Sequence, residues 1–332
     1  MVVCGAVSGA TTTSIHRLNG DRHLSPSGKL AYVLFNWLNN ALPNWRVDPR
    51  MAIHDFRRAD LQSLWPQLQP GSSPSRRLSD LFWLTLPWER IQQELGAIRV
   101  LDIGCGSGHY GPRLISWSDS RVASYAGADL QAQPSWTALP QADPRLRFIQ
   151  ADAAELRDAI PIGTNFLMSQ STIEHLDDDL RFFEHIADYV RRLNSPALQV
   201  HLCPSAACLK LYWFHGVRQY TPRTLSHITR LFEDAHIALY ALGGRACNQL
   251  HYRFITAPLM IWRKGDLRET RAAEYEQRLR AAIEQDMSVP QRSPAFYALI
   301  IHSRPRTRLV CQTLPTSPHE FIAQTGARRL HP

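Results

Sequence analysis

The spacing of apolar residues changes at residue 97. From there, short apolar runs typical of β-strands alternate with stretches whose apolar residues recur every three or four positions. This alternation is typical of βαβ units, in which helices cover a parallel sheet. We therefore predict an α/β fold built on a mostly parallel sheet. Its first five strands are predicted at residues 98–104, 124–130, 146–152, 164–170 and 197–203.

One long helical stretch lies between the fourth and fifth predicted strands. Its apolar positions step by four, three, four and three residues, which places them on one helix face. These positions are Leu176, Leu180, Phe183, Ala187 and Val190. Asp177 precedes most of them and is the expected N-cap.

Two further strands are predicted at residues 236–242 and 295–304, which brings the sheet to seven. The stretch between them is much longer than a hairpin needs, and it contains a charged helical segment at residues 267–287. We therefore predict an insertion over about residues 243–294.

The part of the chain before the sheet has a different composition. Residues 27–42 have the pattern of an amphipathic helix, and residues 66–77 are rich in Pro, Gly and Ser, which predicts a linker. A second helix is predicted at residues 78–96, with Ser79 or Asp80 as its N-cap. The predicted organisation is an N-terminal extension with a helical segment at 1–79, the sheet domain at 80–304 and a tail at 305–332.

The composition excludes several classes of protein. With 332 residues, of which 44% are apolar and 20% charged, the chain can bury a sizeable core, so it is neither disordered nor collagen-like. No apolar run approaches the ~18 residues that a membrane span needs, and the start of the chain does not resemble a signal peptide. The six cysteines form no CxxC pair, and no familiar ligand spacing predicts a metal site. We expect a cytoplasmic protein without a metal.

The net charge of +8 comes almost entirely from arginine, since only three of the 37 basic residues are lysine. A strongly basic chain suggests an anionic partner. The arginines are, however, scattered along the whole chain and form no stripe with interleaved aromatic residues. This distribution favours a dispersed positive surface and argues against nucleic acid as the partner.

Residues 100–108, Val-Leu-Asp-Ile-Gly-Cys-Gly-Ser-Gly, are the most informative segment. A predicted strand containing Asp102 runs into three alternating glycines, Gly104, Gly106 and Gly108, and then into a helix. Glycine lets the backbone turn tightly and approach a ligand closely. The free N–H groups at the start of the following helix favour anionic groups.

Three carboxylates distinguish between the ligands that such a loop can bind. The overlapping frame from Gly106 to Gly111 matches the GxGxxG dinucleotide fingerprint. Asp102 would repel a pyrophosphate, however, and suits an ammonium group instead. Asp129 ends the second strand, where an acidic residue binds ribose hydroxyls in either kind of site. Asp152 follows the third strand, where it can accept a hydrogen bond from adenine, so the three acids suit a ligand with amino-acid, ribose and adenine parts.

These segments resemble the class I S-adenosylmethionine-dependent methyltransferases. Residues 100–108 resemble the first motif of that family, residues 127–130 its second acidic position, and residues 150–153 its adenine-contacting turn. Residues 166–176, which end in Glu-His-Leu, are similar to the segment around its fourth strand. The resemblance covers about residues 80–304 and implies a Rossmann-like, doubly wound fold with helices on both faces and S-adenosylmethionine as the cofactor. The helix before the first motif resembles that of methyltransferases linked to sugar and polysaccharide biosynthesis.

The resemblance also implies which residues hold the cofactor. Residues for the methionine part are Asp102 and the backbone at Gly104, Gly106 and Gly108. Those for the ribose and adenine are Asp129, Asp152 and the N–H group of Ala153. Gln170 and Ser171 are expected to face the methyl-transfer centre. Gly111 is expected to allow close packing of the helix on the sheet.

The acceptor side of the reaction has several candidate residues. If the acceptor is a hydroxyl, a base must take its proton, and histidine suits neutral pH. His175 and His215 follow the fourth and fifth strands and are the candidate bases, although His175 is explained equally well as part of a helix start. Arg218 is a candidate for binding an anionic substrate group. Phe82 and Trp83 either stack on the substrate or belong to the core.

The segment after the fourth strand favours particular acceptors. Residues 169–172, Ser-Gln-Ser-Thr, replace the Asn/Asp-Pro-Pro-aromatic signature common in enzymes of this family that methylate amino groups. This difference favours oxygen or carbon over base nitrogen as the methylated atom, and the expected activity is O-methylation of a small molecule or glycan intermediate. Two alternatives stay open, an NAD(P)-dependent oxidoreductase that uses the second glycine frame and a non-catalytic methyltransferase-like binding protein.

Overall fold

One sheet of eight strands organises the chain. The computed structural model describes residues 15–17, 25–58, 60–211, 218–263 and 265–307. The strands are β1 (Met51–Asp55), β2 (Ile98–Ile103), β3 (Val122–Asp129), β4 (Leu146–Gln150), β5 (Phe166–Gln170), β6 (Ala197–Pro204), β7 (Ala235–Leu242) and β8 (Phe296–Ser303). Their order is β1-β7-β8-β6-β5-β2-β3-β4, and every neighbouring pair is parallel except the two that include β8. The predicted fold class, a Rossmann-like and mostly parallel sheet, is confirmed.

The sheet has eight strands rather than seven because of β1. This strand comes from the segment predicted as an N-terminal extension, and it pairs in parallel with β7, from Met51 opposite Ile237 to Asp55 opposite Ala241. Only Met51 is fully buried in it. An edge strand of this kind needs no continuous apolar run, so the hydrophobic pattern gave no sign of it.

Helices cover both faces of the sheet in the described part of the chain. They are α1 (Pro26–Ala41), α2 (Leu61–Leu64), α3 (Pro74–Leu84), α4 (Trp88–Leu95), α5 (Tyr110–Trp117), α6 (Ser135–Ala142), α7 (Asp179–Leu193), α8 (Pro222–Thr229), α9 (Arg245–His251), α10 (Ala257–Met260), α11 (Leu267–Thr270) and α12 (Ala272–Met287). Helices α3, α4, α5, α9 and α12 pack on one face, and α7 and α8 on the other. Among the described residues, no helix is both long enough and apolar enough to pass through a bilayer.

The helix predicted at residues 78–96 is two helices. Helix α3 begins earlier, at Pro74, because the Ser73 side chain accepts a hydrogen bond from the Arg76 N–H and proline is favoured in the first turn. It ends at Leu84, and α4 begins after Pro87. The predicted linker at residues 66–77 therefore contains the first turn of α3. Ser79 and Asp80, the expected caps, lie buried inside that helix.

Helix α7 carries the apolar face that its spacing predicts. Its N-cap is Asp178, whose side chain accepts a hydrogen bond from the Arg181 N–H, and not the expected Asp177. Phe182, Phe183 and Ile186 are buried against the sheet. This helix fixes the position of the turn that joins β5 to it.

The segment between β7 and β8 packs tightly against the sheet domain. It contains α9, a π-helical turn at Tyr252–Thr256, and helices α10 to α12. The Asp286 carboxylate of α12 accepts hydrogen bonds from the N–H groups of Gly244, Ala246 and Cys247 at the start of α9. These bonds satisfy donors that a helix N-terminus otherwise leaves unpaired.

The order of the strands marks where a ligand is expected to bind. The chain passes from β2 outward to β3 and β4, then returns to the other side of β2 to form β5 and β6. In open α/β sheets the crevice beside the carboxyl ends of the strands at such a reversal is the usual ligand site. Here it lies between the carboxyl ends of β2 and β5.

Candidate functional site

The glycine loop follows β2 directly and needs its glycines for two reasons. Gly104, Gly106 and Gly108 all have positive φ angles, of 72°, 53° and 75°, where glycine is favoured. A Cβ atom on Gly104 would lie 2.2 Å from the Thr172 side chain, and one on Gly108 would lie 2.2 Å from the Phe148 ring. The loop therefore packs too closely on its neighbours for any larger residue at these two positions.

Hydrogen bonds to β3 hold the loop in place. The N–H groups of Gly104 and Cys105 donate to the Ala128 carbonyl at 2.8 and 3.1 Å. The Gly106 N–H donates to Asp129 Oδ2 at 2.8 Å, and Trp136 Nε1 donates to the Gly106 carbonyl at 2.9 Å. Asp129 thus anchors the loop, a function that the sequence analysis did not predict.

Gly111 lies outside this loop, in the first turn of α5. A Cβ atom there would approach Leu146 to 2.8 Å and the Tyr125 ring to 3.0 Å. It permits close packing of the helix on the sheet, as predicted. The second glycine frame is thus divided between the loop and a packing contact.

Asp102 is buried beneath the glycine loop, with 1% of its surface exposed. Tyr125 donates a hydrogen bond to its Oδ2 at 2.6 Å. Its Oδ1 has no hydrogen-bond partner in the described part of the chain. Burial raises the pKa of Asp102 to about 7, although the Tyr125 hydrogen bond and the positive charge of Arg76 oppose this shift.

Asp102 lines a cavity of about 400 Å³ together with the glycine loop, Gln170 and Ser171. A buried carboxylate oxygen without a partner is unfavourable unless a cationic ligand group pairs with it. The cavity therefore has a place for a positive charge directly below the glycine loop.

Arg76 lines the same cavity and was missed by the sequence analysis. Its Nη1 donates to Tyr110 Oη at 2.9 Å, and Tyr110 Oη in turn donates to Asp80 Oδ1 at 2.6 Å. This chain of hydrogen bonds fixes one end of the guanidinium group. One cavity is therefore lined by both a cationic side chain, Arg76, and an acidic side chain, Asp102.

A second cavity of about 660 Å³ adjoins the first, because both are lined by Gly104 and Ser171. Asp129, Asp152 and Ala153 line it at the carboxyl ends of β3 and β4. The three acids predicted as binding residues therefore lie along one edge of the sheet, at successive strand ends. Asp102 and the other two acids lie in adjoining cavities.

Gln170 ends β5 and lines the smaller cavity, and Ser171, directly after the strand, lines both cavities. Gln170 Oε1 accepts a hydrogen bond from Trp83 Nε1 at 3.0 Å, and its Nε2 donates to Ser79 Oγ at 3.2 Å. Ser171 has a positive φ of 54° and donates its N–H to the Leu202 carbonyl. The Gln170 amide is thus fixed by α3, and its orientation is set before any ligand binds.

His175 lies at the rim of the larger cavity, in the 3₁₀ turn Ile173–His175. Its side chain is 40% exposed, and its Nε2 lies 4.0 Å from Glu174 Oε1. It is therefore accessible from the cavity. His215, the other candidate base, lies outside the described residues.

Arg218 does not bind a substrate group, contrary to expectation. It is fully buried, and its guanidinium donates to the carbonyls of Ile15, His16, Ile173 and Leu176. It also lies 3.4 Å from Asp179. These bonds occupy its donors, so Arg218 holds the turn after β5 in place.

The aromatic residues before the first motif belong to the core. Phe82, Trp83 and Trp88 are each at most 5% exposed and pack in the cluster beneath α3 and α4. Their role as a stacking surface is therefore excluded. The segment after β6 also contains several aromatic residues that could contact a substrate. Of these, Tyr220 is buried, while Tyr212, Trp213 and Phe214 lie outside the described residues.

Comparisons with known proteins identify related folds. No protein-family model and no curated protein sequence matches the chain. An S-adenosylmethionine-dependent methyltransferase from Archaeoglobus fulgidus is 19% identical, with 65% of this chain and 90% of that chain covered and a TM-score of 0.39. The plantazolicin methyltransferase BpumL, in complex with S-adenosylhomocysteine (SAH), is 13% identical, with 83% and 99% covered and a TM-score of 0.44.

A third solved structure is phosphoethanolamine N-methyltransferase 2 from Haemonchus contortus. It is 14% identical over 66% of this chain, with a TM-score of 0.44, and this chain spans 52% of its length.

Proposed function

We propose that the chain is an S-adenosylmethionine-dependent methyltransferase. The observation that carries the proposal is the unpartnered Oδ1 of buried Asp102, which shares a cavity with Arg76. The amino-acid end of S-adenosylmethionine has an ammonium and a carboxylate group on the same carbon. A site that binds it needs an anionic and a cationic side chain close together. Asp102 and Arg76 supply this pair beside the glycine loop.

The adjoining cavity suits the nucleoside part of the same ligand. Asp129 accepts hydrogen bonds from the loop through Oδ2 and from the Gln131 N–H through Oδ1, and each carboxylate oxygen can accept further bonds from ribose hydroxyls. Asp152 and Ala153 line this cavity, and we propose Asp152 and the Ala153 N–H group as the partners of adenine. We keep Asp129, Asp152 and Ala153 as the proposed nucleoside residues, and Arg76 joins Asp102 as the proposed partner of the methionine part, on its carboxylate. The N–H groups of Gly104, Gly106 and Gly108 already donate within the protein, so they are not the donors proposed for the cofactor.

A dinucleotide fits this arrangement poorly. Its pyrophosphate would leave the buried Asp102 Oδ1 without a cationic partner, and the ionised form of Asp102 in the same cavity would repel it. The site therefore favours S-adenosylmethionine over a dinucleotide as the cofactor.

The cofactor supplies an electrophilic methyl group on a sulfonium, and the chain's own residues position the acceptor. Gln170, fixed by Trp83 and Ser79, lines the smaller cavity, and Ser171 lines both cavities where they adjoin. They orient the reactants and exclude water from the point of transfer. His175 at the rim takes the proton of a hydroxyl acceptor, and the acceptor itself is a small molecule or a glycan intermediate.

Calorimetric titration tests the proposal directly. SAH is expected to bind the folded protein with one site, and NAD is expected to give no heat of binding. If SAH gave no heat with a folded protein, or if NAD bound instead, the proposal would be wrong.

The affinity for SAH is expected to depend on pH through Asp102. The pKa of this buried carboxyl is about 7, so about nine-tenths of it is ionised at pH 8 and about one-tenth at pH 6. Only the ionised form pairs with the ammonium group. The dissociation constant of SAH should therefore rise about tenfold from pH 8 to pH 6. Methylthioadenosine, which lacks the ammonium group, is the control ligand and should show no comparable change.

Substitution of Arg76 separates the amino-acid part of the site from the nucleoside part. Arg76→Met removes the charge that faces the methionine carboxylate, and we expect SAH to bind about 30-fold more weakly, as for loss of one charge-assisted hydrogen bond. The affinity for methylthioadenosine should stay within about twofold, since this ligand has no carboxylate. An equal loss for both ligands would show that Arg76 supports the fold of the cleft rather than binding the carboxylate. Arg76→Lys should recover part of the SAH affinity.

A further inference from the structure

Helix α1 has its polar side against the protein and its apolar side outward. Asn36 and Asn39 are buried, and the Asn40 amide donates to the Ala206 carbonyl. The outward positions recur at the spacing of one helix face and are between 46% and 71% exposed. They are Leu30, Val33, Leu34, Trp37 and Leu38. We call these five residues the α1 apolar face.

Two further groups of exposed apolar side chains accompany this face. Leu42 and Trp45 follow α1 in the chain and are about half exposed. At the end of α10, residues 259–262, Leu-Met-Ile-Trp, are likewise about half exposed. Monomeric proteins seldom expose apolar side chains in such groups without a binding partner.

Helix α1 and the segment before α10 both form hydrogen bonds to the same turn at the carboxyl edge of the sheet. The segment is the 3₁₀ turn Ala206–Lys210 with Leu211, which follows β6. Asn40 of α1 bonds to it at Ala206, and Thr256, just before α10, donates to the Leu211 carbonyl at 3.5 Å. Since β6 runs parallel to β5 and, through it, to β2, this is also the edge where the cofactor cleft lies.

The charged side chains within the segments that carry these apolar residues are all positive. Residues 22–47 and 252–265 contain no aspartate or glutamate. Arg46 and Arg223 lie over the Trp45 ring, with 4.6 and 4.8 Å between the guanidinium carbon and the ring centroid. Neither they nor Lys29 or Arg263 forms an ion pair with a carboxylate of the described residues.

We propose that the α1 apolar face and residues 259–262 bind the surface of an anionic lipid bilayer. Outward leucine and tryptophan side chains insert at the boundary between headgroups and acyl chains, and the adjacent arginines and lysine contact anionic headgroups. A second copy of the chain would bring the same cations together, which makes a symmetric dimer through this face the poorer partner. The proposal is independent of the proposed function.

Vesicle co-sedimentation of the full chain tests this inference. The protein should bind vesicles of phosphatidylcholine and phosphatidylserine in a 7:3 ratio at least about tenfold more strongly than pure phosphatidylcholine, and added salt should weaken the binding. The double variant Leu34→Asn and Trp37→Asn should lower the partition coefficient at least about tenfold. Both side chains are exposed, so the variant should unfold at the same temperature as the wild type.

Ile162→Asn is the matched control. Ile162 is fully exposed but precedes β5, at the opposite edge of the sheet, so its replacement should leave vesicle binding unchanged. The inference would be wrong if the protein failed to bind the anionic vesicles or if the double variant bound them as the wild type does. It would also be wrong if sedimentation velocity showed a wild-type dimer that the double variant abolishes, since the face would then belong to a second copy.

Discussion

Asp102→Asn is expected to weaken SAH binding at least about 100-fold while raising thermal stability above neutral pH. The loss of affinity follows because the neutral amide cannot pair with the ammonium group of the ligand, and loss of one partner of a buried charge pair costs about 2–5 kcal/mol. The Asn oxygen can still accept the hydrogen bond from Tyr125, so the packing around it should persist. Calorimetry with SAH and thermal unfolding at two pH values measure the two effects.

The stability change has a definite direction with pH. The pKa of Asp102 is about 7 in the folded protein, against an ordinary value of 3.8. The folded protein therefore holds a proton that the unfolded chain releases between these values, and its free energy of unfolding falls as the pH rises through this window. The introduced Asn side chain does not titrate, so the variant avoids this fall in the free energy of unfolding. Its unfolding temperature should therefore exceed that of the wild type by more at pH 8 than at pH 5.

Asp119→Asn is the control for this experiment, because Asp119 is exposed and lies just before β3, at the edge of the sheet opposite the cleft. It should alter neither SAH affinity nor the pH dependence of unfolding appreciably. If Asp102→Asn bound SAH as tightly as the wild type, the role of Asp102 would be refuted. A lower unfolding temperature at pH 8 would refute the view that its charge is unfavourably buried.

Gly104→Ala is expected to abolish measurable SAH binding and to destabilise the protein by roughly 2–4 kcal/mol, the sum of an unfavourable positive φ and a steric clash. The new Cβ atom would lie 2.2 Å from Thr172 Cγ2, so either the loop or the turn after β5 has to move. Both line the cleft. Thermal unfolding and calorimetry check the two losses.

Gly71→Ala provides the matched control for Gly104→Ala. Gly71 has nearly the same φ, 73°, and nothing lies within 4 Å of a Cβ atom placed on it. Gly71→Ala should lower the free energy of unfolding by only about 1 kcal/mol, the cost of the positive φ alone. The double variant Gly104→Ala with Thr172→Gly should regain part of the stability. Equal losses in the two single variants would mean that the contact with Thr172 does not matter.

The glycine loop and the three acids were predictable from sequence because their chemistry is local. Each acid ends or follows a strand, and parallel strands bring their carboxyl ends to one edge. Arg76 was missed because the Pro- and Ser-rich segment around it resembles a linker. In the structure, Ser73 and Pro74 are instead the cap and the first residue of α3.

The wrong or incomplete predictions concern residues whose surroundings depend on contacts between distant parts of the chain. Arg218 suits an anionic substrate by its chemistry, but Ile15, His16 and Asp179, far away in the sequence, bury it. The helical pattern of residues 27–42 was correct, and α1 spans Pro26–Ala41. Periodicity could not tell that Asn36 faces the protein and the leucines face outward, because it identifies two helix faces without saying what covers them.

A crystal structure of the protein with SAH tests the central claim most directly. The claim predicts the ammonium nitrogen of SAH about 3 Å from Asp102 Oδ1, its carboxylate against Arg76, and its ribose hydroxyls on Asp129. SAH bound elsewhere, or bound in the cleft with Asp102 Oδ1 still unpaired, would contradict the account.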